Sequence, residues 1–236
     1  NIYINPDVCD LVENVSEHYL LDDVSFLNHN VSNMTFEQRV IKRIFDIIFS
    51  LIFVVISSPI WIVSSIAIKL GDGGTVFFKQ KRATQYGRVF YVYKFRTMKV
   101  STPKDVPTHL LDNPESYITK IGGFLRKTSL DELPQLFNIL KGDMSIVGPR
   151  PALWNQFDLI ALRDENGSNS VRPGLTGWAQ VNGRDELPID VKAGFDGEYI
   201  KKMSIIFDIK IILMTVVSVF TSKGVREGRN ESSNNR

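Results

Sequence analysis

Residues 45–68 form a long apolar run, FDIIFSLIFVVISSPIWIVSSIAI, whose single charge, Asp46, lies at its edge. At 1.5 Å per residue a helix of this length reaches about 36 Å, enough to cross a bilayer core of about 30 Å. Ser57-Ser58-Pro59 interrupts the run near its middle. Proline removes a backbone donor and crowds the preceding turn, which kinks or breaks a helix. Neighbouring serine hydroxyls can bond the carbonyls so freed. Basic residues flank both ends: Arg39, Lys42 and Arg43 before the run, and Lys69, Lys79, Lys81 and Arg82 after it. The positive-inside rule places both flanks on the cytoplasmic side. The pattern therefore predicts a re-entrant helix–break–helix over 39–70 that dips into one leaflet and returns. A kinked single span and a buried core helix are the alternatives.

A second apolar segment, residues 205–220, carries Asp208 and Lys210 inside it. It reads either as an amphipathic helix lying in the membrane interface or as a core helix. Gly71-Asp72-Gly73-Gly74 is a turn signal. The β-rich runs at 76–79 and 89–93, around Tyr86-Gly87-Arg88, predict a hairpin. Residues 101–117, with three prolines, read as an irregular loop. Helices are expected over 117–127 (weakened by Gly122-Gly123), over 135–140 (ended by Lys141-Gly142-Asp143) and over 152–163. Residues 165–170 read as a polar loop. Gly148-Pro149-Arg150-Pro151 demands extended or turn backbone, because residues before proline avoid the α region. Residues 226–236 read as a disordered polar tail, and no internal repeat is visible.

Charge divides the chain near residue 38. Residues 1–38 hold seven acids and neither Lys nor Arg, whereas residues 39–104 hold twelve bases against Asp46 and Asp72. A basic segment of this kind suits an anionic membrane surface or a phosphate substrate. No groove-reading helix or finger pattern accompanies it, so nucleic acid is not an expected partner. The one cysteine, Cys9, allows no internal disulfide and no Cys/His metal spacing. The bulk of the chain is accordingly placed in a reducing cytoplasm. Ile2-Tyr3-Ile4-Asn5-Pro6 and an acidic helix expected after Pro6 read as the end of an upstream α/β module, and Asn1 in place of Met suits truncation from a longer parent. A short N-terminal extension is the alternative.

The chemistry concentrates in Ser129-Leu130-Asp131-Glu132-Leu133-Pro134-Gln135. Proline is tolerated in a first helical turn, so a helix is expected to begin near Asp131, where its dipole would keep that carboxylate ionised. A nucleophile beside a bound phosphate is one reading. Adjacent acids also suit Mg²⁺, which takes one or two carboxylates plus substrate oxygens. Ser129-x-x-Glu132 equally matches a capping box, which explains the pair without any chemistry. What raises the first reading is the set of cations with little acidic compensation: Lys94, Arg96, Arg126, Lys127, Arg150, Arg172 and Arg184. Arginine suits bidentate phosphate binding, and two prolines fix the backbone around Arg150. No histidine chemistry is assigned.

These motifs occur in the order found in one family. Lys42-Arg43-Ile44-Phe45-Asp46, Ser58-Pro59, Phe78-Lys79-Gln80-Lys81-Arg82, Tyr93-Lys94-Phe95-Arg96-Thr97-Met98, Arg126 with Ser129–Leu133, Lys141–Ser145, Val147–Pro151 and Arg172–Arg184 carry it. Over about residues 42–225 the chain resembles the bacterial sugar transferases called monotopic phosphoglycosyl transferases, or polyprenyl-phosphate hexose-1-phosphate transferases. The resemblance implies an α+β fold: a monotopic membrane protein with a re-entrant helix, interfacial amphipathic helices and a small cytoplasmic catalytic domain at 71–225. It implies that Asp131 attacks the β-phosphate of a UDP-sugar, releases UMP and passes the phosphosugar to undecaprenyl phosphate at the cytoplasmic face of a bacterial inner membrane. Glu132 would help hold Mg²⁺. Lys94, Arg96, Arg126, Arg150, Arg172, Gln180, Arg184 and Asp196 fall at the expected substrate-binding positions, and Ser58 and Pro59 at the membrane break. Thr102-Pro103 and Arg184-Asp185-Glu186-Leu187 lean toward capsule and O-antigen enzymes that use N-acetylated amino or deoxyamino sugars. A homodimer is left open. A catalytically idle scaffold of a polysaccharide assembly complex is the reading from another class, with a soluble nucleotide-sugar enzyme as a third.

Overall fold

The computed structural model describes residues 2–4, 16–21, 24–29, 34–102, 114–183 and 187–221. Strands β1 (Ile2–Ile4), β2 (Ser16–Leu21) and β3 (Val24–His29) form an antiparallel sheet in the order β1-β3-β2. The helix expected after Pro6 is thus not formed over residues 16–21. Leu21 pairs with Val24, which closes a tight hairpin instead. The 226–236 tail lies outside the described residues.

Helix α1 (Phe36–Asp72) opens on a capping box between Thr35 and Gln38 and closes on Gly73, whose φ of 70° suits glycine. It runs unbroken through Pro59, so the expected division into two helices does not occur. Pro59 cannot donate to the carbonyl four residues back, that of Val55. The Ser58 hydroxyl donates to that carbonyl instead, at 2.8 Å, and Ser57 donates to the Phe53 carbonyl at 2.6 Å. The serines expected to satisfy freed carbonyls do so, and in doing so keep the helix continuous.

The sides of α1 are reversed relative to a soluble helix. Ser50, Ser57 and Ser64 face inward and are buried, while Val55, Ile56, Ile62 and Val63 are about two-thirds exposed. A contiguous apolar face of this kind marks contact with lipid or a partner. Both arms of α1 rest on the same body. Phe45, Phe49 and Val54 pack on the larger core, and Trp61 and Ile68 on a smaller one.

The body is built of α and β elements, as expected. Strands β4 (Phe77–Ala83) and β5 (Val89–Phe95) form the predicted hairpin, in register from Phe77↔Phe95 to Ala83↔Val89. Helix α2 (Lys120–Lys127) follows, capped by Thr119, and then α3 (Gln135–Lys141), ended by Gly142 at φ 98°. Strand β6 (Ser145–Val147) pairs in parallel with β7 (Gly174–Thr176). Between them lies α4 (Phe157–Glu165), five residues later than predicted. Residues 152–153 are held against β4 by an isolated bridge, with Ala83 N–H donating to the Ala152 carbonyl and Leu153 bridging to Arg82, so they do not join a helix. Helices α5 (Trp178–Asn182), α6 (Ile189–Lys202) and α7 (Ile205–Thr221) complete the chain. The larger core gathers Val92, Leu136, Ile139, Met144, Tyr199 and Ile211, and the smaller one Ile68, Phe95 and Leu125. Helix α7 buries Asp208 and Ile211 against the body and exposes Ile206 and Leu213, so it is amphipathic.

Candidate active site

Asp131 and Glu132 sit on a 3-10 turn, Leu130–Glu132, that leads into α3. The helix proper starts only at Gln135, after Pro134. Ser129 adopts φ 57° and makes no side-chain cap, so the capping box is not formed. Glu132 is engaged elsewhere, and a residue other than glycine in the left-handed region stores strain at this turn.

Three separate parts of the fold converge on the turn. Lys94, at the end of β5, places Nζ 2.7 Å from Glu132 Oε1. Arg150, just beyond β6, donates from NH2 to Oε1 at 2.8 Å and from NH1 to Oε2 at 3.4 Å. Arg126, on α2, is fixed by a 2.9 Å bond from Nε to the Thr97 hydroxyl. Asn138 joins β5 to α3, accepting from Tyr93 N–H at 3.0 Å and donating to the Tyr91 carbonyl at 2.8 Å. These two hydrogen bonds tie the stretch of β5 just before Lys94 to α3. Arg150 arrives through a close approach: Gly148 N–H donates to Thr176 and Gly174 N–H to Pro149. A Cβ on Gly148 would run into the Arg172 carbonyl, and one on Gly174 into Gly148 itself, so both positions require glycine.

The two carboxylates are driven apart electrostatically. Asp131 is buried, and burial pushes its pKa up to about 6; Lys94 opposes this, the Glu132 charge adds to it, and Arg126 and Arg150 also oppose it. The expectation that a helix dipole keeps Asp131 fully ionised is therefore corrected, because the turn buries the group before the helix begins. Burial would raise Glu132 as well, but Arg150 and Lys94, by charge and by hydrogen bond, hold its carboxyl well below the usual range. Neighbouring acids with separated proton affinities are the mark of divided chemical roles. Asp131 makes no side-chain hydrogen bond or ion pair among the described residues, in contrast to its clamped neighbour.

The other predicted residues do not gather here. Arg96 lies under the turn after α1, where its guanidinium fills the space that a side chain on Gly74 would need. Arg172 donates to the Gly142 carbonyl at the far end of α3, where Arg43 of α1 caps Ile139 and Leu140. Gln180 donates to the Leu175 carbonyl. Asp196 is enclosed on α6 and bonded to Arg163; burial raises its pKa, against the pull of Arg163. Arg184 lies outside the described residues. Sequence reading missed Arg163, Asn138 and Thr97, whose roles depend on long-range contacts that leave no local pattern. It also missed Lys42 as a buried partner of Asp208.

No group of three or more His, Cys, Asp or Glu forms a metal cage among the described residues. The acid pair suits Mg²⁺ in the narrower sense that such an ion can take one or two carboxylates and draw its remaining ligands from substrate phosphate. Both Glu132 oxygens already face cations, so a metal there requires Lys94 and Arg150 to turn toward the substrate.

Residues 37–222 match the family described as bacterial sugar transferases. The chain is 39% identical over 188 residues to an uncharacterized sugar transferase, EpsL, of Bacillus subtilis, covering 80% of this chain and 91% of that protein. It is 41% identical over 192 residues to the UDP-glucose:undecaprenyl-phosphate glucose-1-phosphate transferase of Escherichia coli, covering 78% of this chain and 41% of that longer protein. It is 34% identical over 197 residues to the exopolysaccharide production protein ExoY of Sinorhizobium fredii, covering 78% and 87%. Those relatives, with a cation-ringed acid pair carried on a body that exposes a long apolar helix, place the chain in the bacterial sugar transferase family.

Proposed function

We propose that the chain transfers a sugar 1-phosphate from a UDP-sugar to undecaprenyl phosphate and so initiates a lipid-linked glycan for O-antigen, capsule or exopolysaccharide. The observation that carries the reading is the division of the acid pair: a buried Asp131 with no ion-pair partner among the described residues, beside a Glu132 clamped by Lys94 and Arg150. In the first step an Asp131 oxygen bonds to the β-phosphorus, the bond from that phosphorus to the bridging oxygen breaks, and UMP leaves with the electron pair. In the second step an oxygen of the lipid phosphate attacks the same phosphorus and returns the Asp131 carboxylate. Covalent catalysis of this kind splits one difficult displacement into two easier ones. Lys94, Arg126 and Arg150 bind the phosphate oxygens and offset the charge that builds on them. Mg²⁺ belongs to the proposal and, when bound, would neutralise diphosphate charge; Glu132 is the carboxylate that would help hold it.

The names of the Escherichia and Sinorhizobium relatives support the donor, the acceptor and the polysaccharide setting. The reading of a monotopic protein on the cytoplasmic face is supported by α1, since both its arms contact one body and its apolar side points away from it. A perpendicular span would carry one arm away from the body. Cysteines placed at Arg39 and Lys79 should both label from the cytoplasmic side, and labelling from opposite sides would overturn the topology. The chemistry is tested by incubating the full chain with a panel of UDP-sugars and Mg²⁺ and following UMP release. Asp131→Asn should abolish release and the phosphosugar adduct on the peptide containing Asp131. Full activity in that variant would discard the nucleophile, and an inactive wild-type chain that still binds its assembly partners would favour the idle scaffold.

A further inference from the structure

Arg150 clamps Glu132, yet its own backbone is held from the opposite side of the fold. Arg163 on α4 donates from NH1 to the Arg150 carbonyl at 2.8 Å. Its Nε and NH2 both reach Oδ2 of Asp196 on α6, at 2.8 and 2.5 Å. Arg163 is 3% exposed and Asp196 1%. So enclosed a carboxylate, already bonded twice to a guanidinium, is not placed to meet a diphosphate. Nor is stability a sufficient reason for the pair, since a buried ion pair often does no better than apolar residues of the same volume. What the pair does is aim the third guanidinium nitrogen at one carbonyl. The neighbouring carbonyls are fixed in the same way. That of Val147 accepts from Lys42 and from the Tyr199 hydroxyl, at 3.1 and 3.2 Å, and that of Pro151 accepts from Arg82 at 2.9 Å.

We propose that Asp196 and Arg163 are positioning residues for Arg150: the buried pair fixes the Arg150 backbone so that its guanidinium meets the donor phosphate, and Asp196 touches no substrate. The inference rests on the transferase reading, in which Arg150 binds that phosphate. Misplacing a positioned group by about 1 Å can cost about 100-fold in rate. The test uses the full chain in nanodiscs, UMP release with whichever UDP-sugar of the panel turns over fastest, and UDP itself as the binding probe. Asp196→Asn should lower kcat/KM by about 10- to 100-fold and weaken UDP binding. In an Arg150→Ala background the same change should cost less than about 3-fold more, because residues acting through one another are not additive. Since Asp196→Asn strands a buried guanidinium and can fail to fold, the double variant Asp196→Leu/Arg163→Met is the second arm. It should melt within a few degrees of wild type yet show the same loss of kcat/KM. Wild-type kcat/KM in that double variant, or fully additive losses with Arg150→Ala, would overturn the inference alone. An Arg150→Ala variant with undiminished kcat/KM and UDP affinity would instead overturn the phosphate role of Arg150, and with it the reading on which the inference rests.

Discussion

Asp131→Asn should stabilise the protein while abolishing its chemistry, and the structure sets both the sign and the size of the gain. Burial lifts the Asp131 carboxyl from 3.8 to about 6. Between those values the folded chain keeps a proton that the unfolded chain has released. Stability therefore falls as pH rises through this window, by about 1.4 kcal/mol per pH unit. The gap of about two pH units leaves the folded protein about 3 kcal/mol less stable at any pH above 6 than it would be with a neutral group. Asparagine has nearly the same shape and cannot ionise, so the substitution removes that penalty. For a chain of this size each kcal/mol moves Tm by about 2–4 °C, giving a rise of about 6–12 °C at pH ~7.5. At pH ~4 wild type and variant should melt within about 2 °C of each other. Thermal scans of both proteins in one detergent across that range, alongside UMP release, read the two effects separately. A variant that melts no higher than wild type at pH ~7.5, or whose advantage persists undiminished at pH ~4, would refute the claim that a strained buried carboxylate sits at this turn.

The same proton should control turnover: kcat/KM for UMP release should fall tenfold per pH unit below about 6, as Asp131 protonates. A flat profile down to pH ~5 would show that some other group is the nucleophile. Glu132→Gln removes the carboxylate that engages Lys94 and Arg150 and whose charge raises Asp131. The acid limb of any residual activity should move below 6, with kcat/KM reduced by about 100-fold from misplaced cations; an upward movement of that limb would contradict the electrostatic coupling.

Elements governed by local rules were legible in the sequence. The β4–β5 hairpin followed from alternating β-rich runs around Tyr86-Gly87, and the end of α3 from Gly142. The bend at Gly148-Pro149 and the non-helical backbone at Arg150 followed from the two prolines. Elements decided by distant contacts were not. Residues 152–153 carry an acceptable helical pattern, but the edge of β4 claims them. The capping box at Ser129 fits the local rule and loses to Lys94 and Arg150, which offer Glu132 charged partners that a backbone N–H cannot match. The same competition explains the candidate residues. Lys94, Arg126, Arg150, Asp131 and Glu132 do assemble, because each lies at the end of an element that points toward the turn. Arg96 and Arg172 have the same chemistry and look equally suitable in sequence, but their elements turn them toward Gly74 and the Gly142 carbonyl. Charge type is written in the sequence; the direction in which a charge points is written in the packing.

That packing also ties the acid pair to the long apolar helix. Helix α3 is seven residues long, about 10 Å. The reactive turn lies at its N-terminal end, and Arg43 of α1 caps the Ile139 and Leu140 carbonyls at its C-terminal end. Trp61, beyond Pro59, packs edge-on against Phe137 at the middle of the same helix. Both arms of α1 thus grip the element that carries Asp131 and Glu132. Lys42 and Asp46 of the first arm, in turn, hold the Val147 carbonyl and the Ile146 N–H on the strand that delivers Arg150. The proposed transfer, which would join a water-soluble nucleotide sugar to a lipid phosphate, calls for its nucleophile to be held at a fixed depth relative to the bilayer. On the proposed reading, hydrogen bonds rather than a linker fasten the acid-pair turn and the strand leading to Arg150 to the apolar helix α1, which would fix that depth. On this argument, substitutions that loosen α1 from α3, such as Arg43→Ala, should impair transfer to the lipid acceptor more than UMP release from the donor, and equal losses in the two half-reactions would refute it.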